Sequence, residues 1–274
     1  MQYSSSNRSC KMTSTKTEVV IVRPRRIDVF IKKAILNSRV AVPVLMDLGS
    51  KYTFIKESTA KFYNLNIKNE ETDFIGTWHK YRLPGQLTKT VIASITIDGV
   101  SPGNIKILVV PDNVMKYQML IGRDWLGQPA IDFRKTRKRF IVSSRDHSFV
   151  DIIVTPIPPW VKKATINRKH KIRMTIDSSS YYTLIKYKLV KKWNLKRYIV
   201  NKELYGIGKC NVLIKERAEA VVEIDGIPIT TDIYLAENLI PDGIIGKMWL
   251  NHSLVRFRKT NNNIKFLKKK SSIR

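Results

Sequence analysis

The stretch VLMDLGSKYTFI, Val44 to Ile55, drives an apolar run straight into a carboxylate, a glycine and a serine. Alone, Asp47 with Gly49 reads as a turn, because Asp bonds its own backbone and Gly relaxes it where a chain reverses. The construction recurs, however, in RMTIDSSSYYTLI, Arg173 to Ile185, where Asp177 stands at an offset of 130 residues from Asp47. The same offset carries Phe30-Ile31-Lys32-Lys33-Ala34 onto Trp160-Val161-Lys162-Lys163-Ala164, Asn64-Leu65 onto Asn194-Leu195, and Gly76 onto Gly206. It then shortens: Ile97-Asp98-Gly99 matches Ile224-Asp225-Gly226, and Leu120-Ile121-Gly122-Arg123-Asp124-Trp125-Leu126 matches Ile244-Ile245-Gly246-Lys247-Met248-Trp249-Leu250. Both copies close on Phe-Arg-Lys-Thr, at Phe133–Thr136 and Phe257–Thr260. Length changes confined to two places are what surface hairpins tolerate. The repeat is too long for a solenoid unit, whose period runs roughly 20 to 50 residues, so each copy is a domain-sized unit.

The expected organisation is a disordered basic N-terminus (1–17), a first lobe (18–148), a second lobe (149–267) and a basic tail (268–274). Pro156, Pro158 and Pro159 interrupt regular structure at the joint. Within a copy the pattern is mostly strand. Val40 to Met46 and Lys171 to Ile176 are short runs rich in branched residues. Val91 to Ile97 and Ala220 to Ile224 alternate with period two and stop at Asp-Gly, a hairpin signal. One short helix per copy is predicted over Glu57–Tyr63 and Tyr187–Trp193, with Ala60, Phe62 and Tyr63, or Leu189, Val190 and Trp193, forming the apolar face. A strand ending at Gly and turning into a short helix is predicted over Leu120–Leu126 and Ile244–Leu250. Both units are therefore mainly β with little helix.

With 274 residues, 43% of them hydrophobic, the chain can bury real cores and is not compositionally disordered. Lys and Arg total 50 against 22 Asp and Glu, a formal charge of +28, which predicts attraction to polyanions and leaves the fold undetermined. The basic clusters Arg134–Arg139 and Lys265–Lys270 read first as a solvated hairpin rim and a frayed terminus, and second as nucleic-acid patches. Two cysteines, Cys10 and Cys210, exclude a disulfide framework and favour a reduced compartment. With neither a secretory leader nor a membrane-spanning run, an intracellular location, cytoplasmic or nuclear, is expected. His79, His147, His170 and His252 lie far apart, so no metal-ligand spacing is visible, and no cofactor is expected.

An apolar strand ending in Asp-x-Gly-Ser, a following Thr-x-Ile, a glycine-bearing hairpin, and two apolar residues plus Gly before a helix together resemble the retropepsin-like aspartic proteases of retroviruses, retrotransposons and some cellular proteins. The tetrapeptide alone is weak; the tetrapeptide with Leu120-Ile121-Gly122-Arg123-Asp124, repeated in register, is much stronger. The resemblance implies two β-barrel lobes related by a pseudo-two-fold axis, and a catalytic pair made of Asp47 and Asp177, one from each lobe. Two carboxylates held close cannot both ionise and therefore share a proton, which suits general acid–base hydrolysis of a peptide. It also implies a polypeptide substrate or ligand and, because both lobes lie in one chain, a monomer that is its own internal pseudo-dimer. Non-specific nucleic-acid binding remains a separate expectation of the charge, and membrane association is not expected.

The active loops depart from the family pattern, Asp-Thr/Ser-Gly-Ala/Ser/Thr. In lobe one Gly49 and Ser50 fit, but Leu48 lacks the hydroxyl that reaches across the axis. In lobe two Ser178 and Ser180 fit, but Ser179 replaces the glycine and puts a side chain where two backbones should nearly touch. The resemblance further implies that Ser50 and Ser180 bond the outer carboxylate oxygens, and that Arg123 pairs with an acid near the loop, a place where this chain has Lys51. Covering flaps are expected around Gly76, Trp78 and Tyr81 in lobe one and Gly206, Ile207 and Gly208 in lobe two. The alternative to an active protease is a protease-fold protein that binds peptide or protein partners without turnover.

Overall fold

Asn37 and Asn167 set the first turn of each copy. Both take a left-handed backbone, φ 47° and 49°, which Asn tolerates better than most residues. Each carboxamide oxygen then accepts a distant amide, from Ser94 at 3.0 Å and from Val221 at 2.7 Å, so one residue both turns the chain and staples two hairpins. In this computed structural model the residues described are 28–71, 87–145, 158–205, 211–261 and 263–268. Cys10, Cys210, His79, His147 and the expected flap residues Gly76, Trp78, Tyr81, Gly206, Ile207 and Gly208 lie outside them, as do residues 1–17.

The first lobe contains strands β1 (Ile31–Leu36), β2 (Val40–Met46) and β3 (Phe54–Lys56), helix α1 (Glu57–Phe62), then β4 (Lys68–Glu71), β5 (Leu87–Ile97), β6 (Asn104–Val110) and β7 (Met119–Ile121), helix α2 (Arg123–Leu126), and the hairpin β8 (Ile131–Lys135) and β9 (Phe140–Ser144). The second contains β10 (Val161–Ile166), β11 (His170–Ile176), β12 (Thr183–Lys186), α3 (Tyr187–Lys191), β13 (Arg197–Tyr205), β14 (Asn211–Ile224), β15 (Ile227–Ala236), β16 (Gly243–Ile245), α4 (Lys247–Leu250), β17 (Phe257–Lys259) and β18 (Ile264–Phe266). The sheet orders are β1-β2-β7-β3-β6-β5-β4 and β10-β11-β16-β12-β15-β14-β13, and pairings β1–β5 and β10–β14 close each sheet into a barrel. The orders are the same under the sequence offset. The mainly β units read from the duplication, and the two barrels that the resemblance implies, are thus observed.

Period-two burial drives the strands: in β1 Ala34 and Leu36 are buried while Lys33 and Ile35 face out. The Asp-Gly turns end β5 and β14 with positive φ at Asp98, Gly99, Asp225 and Gly226, the geometry a tight hairpin needs. Trp125 and Trp249 are fully buried anchors whose indole N–H groups donate to Ile95 O and Val222 O, at 3.2 and 3.0 Å. One sequence expectation fails at α1. Thr59 and Ala60 form the buried face, whereas Phe62 is 77% exposed and only meets the edge of the Tyr63 ring. A helix of six residues makes fewer than two turns, too short for a three-member apolar stripe.

The lobes join through a four-stranded sheet, β18-β17-β8-β9. Its central register pairs Arg258 with Arg134, equivalent residues of the two copies, so the pseudo-two-fold axis passes between them. Beneath lies an aromatic seam drawn from both lobes, in which Phe133 meets Trp160 at 5.4 Å and Phe140 meets Phe257 at 6.4 Å. Two lysines cross this junction. Lys135 Nζ donates to Val255 O at 2.9 Å; its copy Lys259 donates to Ile131 O, Gln128 O and Leu126 O at 2.6, 2.7 and 2.9 Å. Lys135 is therefore not part of a solvated rim, since the strand register turns it inward while Arg137, Lys138 and Arg139 stay exposed.

Burial pushes the Lys135 ammonium down to about 8 and that of Lys259 down to about 7, with Arg256 and Arg145 respectively adding repulsion. Between those values and 10.5 the folded chain binds fewer protons than the unfolded one, so each lysine makes stability rise with pH across that window. Lys259→Met strands three buried carbonyls. It is expected to lower the unfolding free energy by about 3 kcal/mol, read by urea denaturation.

Candidate active site

Each carboxylate sits just beyond a strand end and is fixed from behind. Asp47 N donates to Ile121 O at 2.8 Å, and Asp177 N donates to Ile245 O at 3.0 Å. The loops then fold back on their own acids. Gly49 N and Ser50 N donate to Asp47 Oδ1 at 2.8 and 3.2 Å; Ser179 N and Ser180 N donate to Asp177 Oδ1 at 2.8 and 3.0 Å. The downstream glycines explain themselves here. A β carbon on Gly122 would lie 2.3 Å from Tyr52 O, and one on Gly246 would lie 2.1 Å from Tyr182 O, so only glycine lets β7 and β16 run beneath the loops. Thr53 and Thr183 complete the support by accepting from Gly122 N and Gly246 N, at 3.1 and 3.3 Å.

Across the axis the loops interlock on one side only. Ser178 Oγ accepts from Leu48 N at 2.9 Å and donates to Met46 O at 2.7 Å. Leu48 is fully buried and returns no hydroxyl, as the sequence predicts. Gly49 packs directly on the opposite acid, since a β carbon there would fall 2.5 Å from Asp177 Cγ. The two-fold-related position carries Ser179, which does have a side chain. Its hydroxyl donates to Asp177 Oδ1 at 2.6 Å and lies close enough to Asp47 to favour that group's charged form. The loop nevertheless keeps the same backbone bonds to its acid as lobe one, so Ser179 is accommodated rather than displacing the loop.

One implication of the resemblance is corrected. Ser50 Oγ and Ser180 Oγ turn away from the carboxylates and donate to Tyr52 O and Tyr182 O, each at 2.8 Å. Arg123 Nη1 donates to the carbonyl of Gly49 while the side chain remains buried. Burial lowers the Arg123 pKa, and the charges of Asp47, Asp177 and Asp124 work against that. Asp124 is pushed up to about 6 by burial and accepts from Thr53 N and Oγ1 at 2.7 and 2.6 Å. In lobe two Met248 replaces Asp124, and Lys247 crosses to the other lobe, 2.5 Å from Asp28 Oδ2 and 3.4 Å from the Tyr117 hydroxyl. Sequence reading missed this tie; its signal was the Arg123-to-Lys247 change inside an otherwise repeated motif.

Electrostatically the pair is unequal. Asp47 is 2% exposed, whereas Asp177 is half-buried. Burial first, and the Asp177 charge second, push Asp47 up to about 7 against the bonds from Gly49, Ser50 and Ser179. A carboxyl raised from 3.8 holds a proton in the folded state that the unfolded chain has released. Asp47 therefore makes stability fall as pH rises from about 4 to about 7. Asp47→Asn removes that dependence, and its urea-unfolding free energy is expected to vary less over the same range. Both acids line one cleft of 2470 Å³ between the lobes. Among the described residues no group of three or more His, Cys, Asp or Glu could hold a metal ion.

No protein-family model matches the chain, and no curated protein does. Among solved structures it is similar to EIAV protease complexed with the inhibitor HBY-793, at 18% identity over 34% of this chain and 86% of that chain, with a TM-score of 0.30. It is likewise similar to the retroviral protease-like domain of Ddi1 from Leishmania major, at 18% identity over 41% of this chain and 97% of that one, with a TM-score of 0.30. The two-barrel reading rests on the chain's own strand order and closure. Among the described residues no helix is long and apolar enough to cross a membrane.

Proposed function

We propose that the chain is an aspartic-type endopeptidase whose two lobes each supply one carboxyl to a shared site. The observation that carries this is Asp47, buried and raised to about 7 beside the charge of Asp177 from the other lobe. A buried carboxyl raised in this way, facing a second carboxyl across a cleft, is what general acid–base chemistry needs. In the step this supports, Asp177 takes a proton from water as its oxygen attacks the peptide carbonyl, and Asp47 protonates the carbonyl oxygen. The tetrahedral diol then collapses, the C–N bond breaks, and a proton returned from the pair leaves with the amine. No covalent intermediate forms. Because the pair shares its proton, the pH profile belongs to both acids together. Holding both lobes in one chain makes their encounter intramolecular.

Cleavage is expected at acidic to neutral pH and should fade as pH rises through about 7, where the Asp47 proton is lost. Digestion of a peptide library at several pH values, with and without an active-site aspartic protease inhibitor, tests this. Cutting that persists unchanged at pH 9, or that ignores the inhibitor, counts against it. A second reading, peptide or protein binding without turnover, draws on the one-sided lock at Leu48 and on the Ser179 hydroxyl at the acid pair. It requires that no peptide in the library is cut while some are bound.

A further inference from the structure

The two flanks of the cleft are chemically unlike at equivalent positions. Just past the active loops, Lys51 of lobe one stands where lobe two has Tyr181. Before the second support strand, Lys116 stands where lobe two has Ile240; the equivalence is fixed by the bonds Lys56 N to Gln118 O and Lys186 N to Asp242 O. All four residues line the cleft. Lobe two supplies Arg173 to the cleft, and Arg137 and Lys138, at the tip of the β8–β9 hairpin, bring the lobe-one cations to four. None of these four cations has an acidic partner within ion-pair distance among the described residues, and Lys51 Nζ merely rests 4.6 Å from the Tyr52 ring centroid.

Glu203 lines the lobe-two side of the cleft, and three further lining acids have partners of their own. Asp28 is held by Lys247, Asp112 accepts Ser58 N at 3.0 Å, and Asp242 lies 3.3 Å from Lys186. On the lobe-two side Tyr181 is 62% and Ile240 48% exposed, with Tyr182, Leu204 and Met248 half-buried around them. Exposed apolar groups gathered at a cleft wall mark a surface that gains by being covered.

We propose that this cleft selects an extended polypeptide with an acidic stretch beside an apolar or aromatic one, the acidic part against Lys51 and Lys116 and the apolar part against Tyr181 and Ile240. This deepens the endopeptidase reading, on which the placement of polypeptide in the cleft rests. Unpaired cations fix the register of a charged ligand, while apolar burial supplies the affinity that charge at an open surface does not.

The test uses the full chain carrying Asp47→Asn, so that nothing is consumed, and fluorescent peptides followed by anisotropy. A peptide with a Glu-rich half and a Phe/Leu half is compared with its Gln-for-Glu and its Ser-for-Phe/Leu counterparts. Each replacement is expected to weaken binding about tenfold, with only the Glu effect fading in high salt. Adding Lys51→Glu with Lys116→Glu should transfer the preference to a Lys-bearing peptide while leaving the thermal melt in place, since Lys116 is exposed, Lys51 is only half-buried, and neither has an acidic partner among the described residues. Equal binding of the acidic and neutral peptides overturns the proposal, as does a preference untouched by the charge reversal. An oligonucleotide that displaces the acidic peptide as well as the unlabelled peptide does also overturns it, because the cleft would then be reading charge alone. If the unaltered chain cuts neutral peptides as fast as acidic ones, the preference falls and the hydrolase stands. If acidic peptides bind tightly and none is ever cut, the hydrolase falls and the preference stands.

Discussion

Asp47→Asn is expected to remove peptide hydrolysis, lowering kcat/KM by at least about 1000-fold, while the protein stays folded. The amide keeps an oxygen for the Gly49 and Ser50 amides, which donate to Oδ1 in the native loop. What it loses is the transferable proton. Asp177→Asn should do the same by removing the group that takes the proton from water, although Asp177 is the more exposed partner. Because the two acids act as one unit, the double variant should be scarcely worse than either single one. Initial rates on a peptide the native chain cuts, with circular dichroism confirming the fold, decide the matter. Activity surviving in both single variants would place the chemistry elsewhere.

Ser179→Gly is expected to raise kcat about 100-fold, with a smaller change in KM. The Ser179 hydroxyl donates to Asp177 Oδ1 at 2.6 Å and so draws on the basicity of the acid that takes the proton from water in the proposed step. Removing it leaves the loop's own amides on Asp177 in place, as the equivalent Gly49 shows for Asp47. Leu48→Thr addresses the other defect, offering a hydroxyl towards the second lobe to reciprocate the bond made by Ser178. The pair of changes together should exceed Ser179→Gly alone, through tighter positioning of the two loops. A fall in kcat on Ser179→Gly would mean that the hydroxyl positions Asp177 productively, and that the loop is tuned rather than impaired.

The fold was legible because duplication supplies its own internal comparison. A second Asp at constant offset, the Asp-Gly turns at Asp98 and Asp225, and the paired Gly122 and Gly246 each report a backbone requirement that only a few residues satisfy. Side-chain destinations were less legible. Ser50 and Ser180 can donate to a carboxylate or to a nearby carbonyl, and the tight turn places Tyr52 O and Tyr182 O within reach first. Lys135 looks solvated within a basic run, yet strand register alone decides which lysine faces the junction, and composition is blind to register. The Lys247–Asp28 tie joins residues far apart in sequence and in different lobes, so the Arg123-to-Lys247 change marks one end of it and leaves the partner unnamed.

The bond from Ser178 to Met46 and Leu48 is made once, not twice. Two free copies of the second lobe would form it in both directions, and two free copies of the first would not form it at all. Tethering the halves therefore enforces a mixed marriage that separate halves would have no such reason to choose. It also frees each partner to specialise without first having to recognise itself.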